Sequence, residues 1–190
     1  IVGAFVREDN APEVRVAYIR QHTELNNPAM TRTIVEAMED GEPAVVAAAC
    51  RALAVLEHPA RTRELLEVLR TTSSDMCRRA AADALRATRD PDAVPPLVSL
   101  VRNPEWPHRT LVARVLGAIG TDNAIEELER MLASPRAADR MAGLAGLSGV
   151  PDVTPFLRPI CDIYLQDPDA ECRAAARAWL KRNVVGLRSD

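Results

Sequence analysis

The sequence predicts an all-α fold, a solenoid of stacked helical hairpins, and three observations carry that prediction. A helical pattern recurs with a period in the low thirties. Prolines stand at or near the start of most predicted helices, where the fixed φ suits the first turn. No stretch alternates apolar and polar residues and β-branched residues do not cluster, so no strand is predicted.

The pattern is clearest in Asp75–Leu85, DMCRRAAADAL, and returns in Asp169–Leu180, DAECRAAARAWL. Taking the arginine of each Cys-Arg as an anchor places the copies at Arg15, Val46, Arg78, Arg109, Arg140 and Arg173, separated by 31, 32, 31, 31 and 33 residues. Val46 replaces the arginine in the second copy. Seven residues past the anchor stand Leu53, Leu85, Leu116, Leu147 and Leu180, with His22 in the first copy. Small or apolar residues also occupy two and three past it, as in Ala48-Ala49, Ala80-Ala81 and Ala175-Ala176. Positions two, three and seven share one helix face. A unit this short buries that face only against its neighbours.

Cys77-Arg78-Arg79-Ala80-Ala81-Ala82-Asp83-Ala84-Leu85 and Cys172-Arg173-Ala174-Ala175-Ala176-Arg177-Ala178-Trp179-Leu180 resemble bacterial HEAT repeats, in particular the short type first noted in phycobilin lyases. The resemblance covers nearly the whole chain. It implies a right-handed α-solenoid of HEAT-like hairpins, about five repeats plus a partial N-terminal one. It speaks to architecture more than to function, since most relatives are binding scaffolds.

In order, residues 1–8 are expected to complete a truncated helix, and Ala11–His22 forms the first inner helix with Asn10 as its cap. Outer helices are predicted over Pro28–Glu39, Ala60–Thr71, Pro91–Arg102, Asp122–Ala133 and Pro151–Leu165. Inner helices are predicted over Pro43–Leu56, Ser74–Ala87, Pro107–Ile119, Pro135–Leu147 and Pro168–Arg182. Pro95-Pro96, Pro155 and Pro159 fall within outer helices and should kink or shorten them. The whole of 1–190 is expected to be a single array, a segment of a longer protein, with a frayed tail at 183–190.

Composition bounds the function. The apolar fraction of 47% suffices for a core, but aromatics are 3%, so alanine does much of the packing. A net charge of −3 argues against a nonspecific nucleic-acid binder. No apolar run is long enough to span a bilayer, and no signal peptide is visible. Cys50, Cys77, Cys161 and Cys172 form no C-x-x-C pair, which predicts buried thiols in a reduced, cytoplasmic setting. Cys161 and Cys172 are the one pair expected to face each other across a hairpin.

No Gly-x-Ser-x-Gly, Walker loop, dinucleotide fingerprint or His-Glu-x-x-His occurs, so no catalytic residue and no cofactor is assigned. His22, His58 and His108 fall at different repeat positions and suggest no metal site. Gly143, Gly146 and Gly149 follow no strand and read as close helix packing. Glu126, Glu127 and Glu129 read as a solvated outer face. Asp75, Asp139 and Asp169 precede anchor arginines, which predicts capping and a ladder of ion pairs between repeats.

Charge separates the two helix classes. The inner helices are rich in arginine, whereas the outer ones lean acidic through residues such as Glu36, Glu64 and Glu126. HEAT-like arrays line their concave side with inner helices. The non-core inner positions supply Arg20, Arg51, Arg79, Arg86, Arg114 and Lys181, interrupted by Asp83. These residues predict a mildly basic groove that takes an acidic segment of a partner protein. Trp106, beside His108 at the start of an inner helix, is a candidate anchor at the groove edge, or a staple for that helix. The function expected first is a non-catalytic protein-interaction scaffold binding on Arg20, Arg51, Arg79, Arg86, Trp106 and Arg114. Chromophore binding, as in the lyases the repeats resemble, comes second, and nucleic-acid binding third.

Overall fold

The computed structural model describes residues 10–25 and 31–184, and all regular structure among them is helical. The predicted helix at 1–8, the start of the first outer helix at Pro28 and the tail from 185 onward lie outside the described residues. The helices are α1 (Pro12–Glu24), α2 (Thr31–Glu36), α3 (Pro43–Val55), α4 (Arg61–Thr71), α5 (Asp75–Thr88), α6 (Val94–Arg102), α7 (Arg109–Ile119), α8 (Asp122–Leu132), α9 (Ala137–Gly146), α10 (Leu157–Gln166) and α11 (Ala170–Asn183). They alternate between outer and inner as expected, with most ends within two residues of the predicted ones.

The chain divides into two compact units at Pro96/Leu97, inside α6. In the first unit the inner helices α1, α3 and α5 pack side by side, with α2 against α3 and α4 against α5. In the second, α7, α9 and α11 form the inner row, with α8 against α9 and α10 against α11. The anchor pattern explains the packing. Leu53, Leu85, Leu116, Leu147 and Leu180, seven past each anchor, are all at most 4% exposed. Truncating one such leucine typically costs about 2–5 kcal/mol.

The awkward prolines are accommodated by a late start rather than a kink. Pro91–Ala93 and Thr154–Phe156 form 3-10 turns, and the α-helices begin only at Val94 and Leu157. Pro95, Pro96 and Pro159 therefore stand in first turns, where no amide is needed for an intrahelical bond. Elsewhere Pro12 and Pro43 open α1 and α3. The cap of α1 is Ala11, not Asn10; the Asn10 carbonyl instead accepts from Arg15.

A single motif recurs at four of the described hairpins, the one ending in α3 lacking it because Val46 replaces the arginine. The anchor arginine bonds the backbone where the preceding outer helix ends. Arg109 Nη2 donates to the Asn103 carbonyl at 2.7 Å, Arg140 Nη1 to Ser134 at 2.8 Å and Arg173 Nη1 to Asp167 at 2.6 Å. Arg78 donates likewise to Thr72. These carbonyls have lost their helical partners and carry the negative end of the helix dipole, so a guanidinium suits them. The residue six before each anchor position is polar: Asp40, Thr72, Asn103, Ser134 and Asp167. Its side chain accepts from the amide two residues on, at 2.8–3.2 Å, which turns the chain into the inner helix.

Three anchors also reach forward to the next hairpin. Arg15 meets Asp40 at 2.9 Å, Arg109 meets Asp139 at 2.7 Å, and Arg140 grips both oxygens of Asp167 at 2.6 Å. The expected ladder exists, but its acidic rungs differ from those predicted. Asp75 pairs within its own helix with Arg78, and Asp169 caps α11 by accepting from the Cys172 amide at 2.9 Å. Asp139 makes a rung and caps nothing, while Asp40 and Asp167 supply the others. Glu127 is a further correction. It is 1% exposed, held between Arg102 of α6 and Arg130 of α8, because its side chain points under the outer layer rather than into solvent.

The glycine series packs helices closely, as read. A Cβ on Gly117 of α7 would stand 2.0 Å from the Gly146 carbonyl oxygen of α9. Backbone meets backbone there, so neither side can yield. Gly117→Ala is expected to destabilise the chain by about 3 kcal/mol, measured by urea unfolding.

Arg140 and Asp167 are solvent-excluded but lie under a thin layer of protein, so water still screens their charges. Asp167→Ala is therefore expected to cost about 2 kcal/mol, below the loss from a deep ion pair. The guanidinium of Arg140 holds the Asp167 carboxyl below its ordinary 3.8. A depressed folded value means that this stabilisation is complete above about pH 4 and is lost as pH falls through the folded value. Urea midpoints of the native chain should drop below that pH, and Asp167→Asn should flatten part of the drop.

Candidate functional site

Positions two, three and seven past the anchors are mostly covered, and the charged residues at positions one, five and eight are turned outward, although Ala47 and Gly117 at such positions are buried. Arg20, Arg51, Arg79, Arg86, Arg114 and Lys181 are all exposed. In the first unit Arg20 of α1 and Arg51 of α3 line one cavity of about 180 Å³, with Ile19, Ala48 and Ala52 as its apolar wall. Arg79 and Arg86 stand on α5, two turns apart. Arg86 is paired with Asp83 at 2.9 Å, so part of its charge is already neutralised.

In the second unit Arg114 of α7 lines a larger cavity of about 440 Å³ running over α9 to α11. Its floor is Met141, Leu144, Ala145, Ala175, Ala178 and Trp179, and Arg114 and Arg182 flank it. Small alanines leave room above the inner helices, while the indole of Trp179, 4% exposed, is packed into the core beneath. Sequence reasoning included neither Met141, Trp179 nor Arg182 in the site. Arg182 is nine past its anchor, one residue beyond the register searched, and an apolar floor gives no signal distinct from a core.

Trp106 does not join either cavity. It sits in the turn before α7, half-buried, with its ring edge against His108 at 5.6 Å and 74°. Its amide donates to Asn103 at 3.1 Å and its carbonyl accepts from Arg109, so the residue is held by the hairpin clamp. Its indole Nε1 is buried without a partner. His58 is likewise structural, since Nδ1 accepts from the Ala60 amide at 3.2 Å ahead of α4. The His22 ring lies 4.2 Å from that of Tyr18, inclined to it by 55°.

On the outer side, α8 and α10 diverge around a cavity of about 550 Å³ with Arg140 and Asp167 in its wall. Those two groups are already committed to each other and to backbone, which leaves the inner-helix face as the better candidate. Among the described residues no three His, Cys, Asp or Glu side chains are placed to hold a metal ion. No described helix is long and apolar enough to cross a membrane.

Comparison with known sequences agrees with this geometry. The family model for HEAT repeats matches residues 2–86 and 62–148. The chain belongs to the HEAT-repeat family. No curated protein matches the sequence. Among solved structures, the complex of CpcE and CpcF of phycocyanin lyase from Nostoc sp. PCC7120 is similar, with 20% identity and a TM-score of 0.60 over 94% of this chain and 74% of that one. An engineered protein from the Northeast Structural Genomics Consortium aligns with 17% identity and a TM-score of 0.49 over 95% of this chain and 96% of that one. At 20% identity the likeness to the lyase complex is one of fold, the all-α solenoid of this family.

The HEAT hairpins also account for the thiols, all four of which are free. Cys77 Sγ donates to the Pro43 carbonyl at 3.3 Å and Cys172 Sγ to Ala137 at 3.6 Å, joining neighbouring inner helices. Burial pushes the Cys50 thiol up to about 12 and that of Cys172 up to about 11. Few thiolates form at neutral pH, and the sulfurs are covered. Under native conditions a disulfide reagent such as Ellman's should label Cys161 well before Cys50, Cys77 and Cys172, as mapped by mass spectrometry.

Proposed function

We propose that this HEAT-repeat chain is a non-catalytic scaffold that binds a partner protein on its inner-helix face. The carrying observation is the cavity over α7, α9 and α11, an open apolar floor flanked by the exposed guanidinium groups of Arg114 and Arg182. A floor of alanine, leucine and methionine accepts apolar side chains, and arginine pairs carboxylates bidentately. The partner segment is therefore amphipathic and acidic. Arg20 and Arg51 at their own cavity, with Arg79 and Arg86, extend the same chemistry to the first unit. Trp106 contributes as a staple of the hairpin rather than as a contact.

A second reading has one observation in its favour, the likeness to a phycocyanin lyase complex. It would make the chain a bilin-handling protein that works beside another subunit. The scarcity of aromatic residues weighs against a tetrapyrrole site.

The test is affinity capture from the source cell with the native chain and two charge-reversed variants, each shown by circular dichroism to be folded. One carries Arg20, Arg51, Arg79 and Arg86→Glu, the other Arg114 and Arg182→Glu. A partner kept by the native chain and reduced at least about tenfold by one variant supports the reading. Equal retention by all three overturns it. A new visible absorbance band on mixing the native chain with a bilin would favour the second reading.

A further inference from the structure

Six residues past the anchor, the inner helices from α3 to α9 carry Ala52, Ala84, Val115 and Gly146, all buried and none with a polar side-chain atom. On α11 this position is Trp179, 4% exposed. An indole brings an N–H donor to a place where the other helices have only carbon, and a donor taken out of water needs an acceptor. The Trp179 Nε1 meets none among the described residues; its carbonyl alone takes part in a side-chain bond, accepting from Asn183 Nδ2 at 2.8 Å. Unlike Nε1 of Trp106, that of Trp179 is not sealed off, and the residue lines the cavity over α7, α9 and α11.

The charged groups around that cavity are donors too. Arg114 and Arg182 flank it, both exposed and neither with an ion pair among the described residues. Arg182 follows Trp179 by one turn on the same face of α11. No Asp or Glu lines the cavity, whereas Glu129, Asp162 and Asp167 line the outer one between α8 and α10. Ser148 donates its hydroxyl to the Ala145 carbonyl at 2.9 Å, and Asn183 is bonded to the Trp179 carbonyl. Met141, Leu144 and Ala175 supply carbon between these groups. What fits this surface is an oxygen that accepts hydrogen bonds, carries negative charge and stands on an aliphatic stem.

We infer, on the reading of this cavity as the partner site, that Trp179 is a specificity-determining residue whose indole N–H takes a glutamate carboxylate carried within the apolar stripe of the partner's segment. Arg114 and Arg182 select for acidity in general, at edges where water competes for the same charges. Trp179 selects for position, because a donor in the floor is met only by an acceptor placed among apolar side chains. Glutamate suits the site better than aspartate, since its longer stem lies on the carbon of the floor and brings the carboxylate to the indole. A segment that is acidic along its rim and apolar throughout its stripe leaves the N–H unmet, and a site built around a donor rejects a ligand that lacks the acceptor.

The experiment is fluorescence anisotropy with the full chain and three labelled, end-blocked helical peptides. Each has leucine at i, i+3 and i+7, and at i+4 either Glu, Gln or their apolar isostere norleucine. The chain carries Trp106→Phe, so that Trp179 is its one indole and its emission reports occupancy of the cavity. Trp106 lies in neither cavity, and its Nε1 is a buried orphan whose loss removes no bond. The Glu peptide is expected to bind at least about tenfold tighter than the norleucine peptide, with the Gln peptide between them. Trp179→Phe keeps an aromatic ring without the donor, and should bring the Glu and Gln peptides down towards the norleucine peptide while leaving that one unchanged. Gln against norleucine separates the hydrogen bond from charge, and decides the question even if circular dichroism shows Trp179→Phe to be unfolded. The inference is overturned if the Gln peptide binds no better than the norleucine peptide, or if folded Trp179→Phe binds the Glu peptide undiminished. In those cases, loss of the Glu peptide on changing Arg114 and Arg182→Glu would show that the cavity still takes an acidic segment. If no peptide binds, the inference and the partner site beneath it fall together.

Discussion

The bond from each anchor arginine to the end of the preceding outer helix is the interaction on which the hairpins depend. An α-helix that stops abruptly leaves carbonyls unpaired, and here the chain must reverse within a few residues. Arg78, Arg109, Arg140 and Arg173 solve both problems at once by capping those carbonyls from the next helix. The polar residue that each grips, from Thr72 to Asp167, turns the backbone with its own side chain. Outer helix, turn and inner helix are thus tied together within each of these hairpins.

The same guanidinium then links units. Where a carboxylate lies ahead, as with Asp40, Asp139 and Asp167, the arginine takes it as a second partner. Each of these buried charges is met by an opposite charge and by further hydrogen bonds, from backbone at Asp40 and Asp167 and from the Ser134 hydroxyl at Asp139, which is the condition for burying a charge without a large penalty. Val46 shows what happens without the arginine: α3 relies on an alanine-rich face, with Val45 through Ala49 nearly all inaccessible. Glycine takes over where helices approach closest, at Gly117 and Gly146. Small side chains allow close packing, and close packing leaves open alanine-floored space on the far side of the inner helices, where the candidate site lies.

A surface built this way separates stability from binding. The core positions are committed, and the exposed inner positions are free to carry charge. Arg114 and Arg182 beside an apolar floor are one product of that freedom.

Much of this was legible in the sequence. The period, the two helix classes, their boundaries, the buried leucines and the close-packed glycines follow from spacing alone, because a helix has a fixed 3.6-residue turn and each repeat obeys it. Exposure of Arg20, Arg51, Arg79, Arg86 and Arg114 follows by the same rule. Other features depended on where side chains meet in space. Glu127 looked like an outer-face charge and is buried, because Arg102 arrives from 25 residues away. The rung to Arg140 comes from Asp167 rather than Asp169, a choice made by the geometry of the turn. Trp106 is drawn into the hairpin clamp and away from the cavity. Periodicity determined which way each helix faces; which residues touch across the gap between helices was decided only when the hairpins packed, since contact depends on distances that a repeat register does not contain.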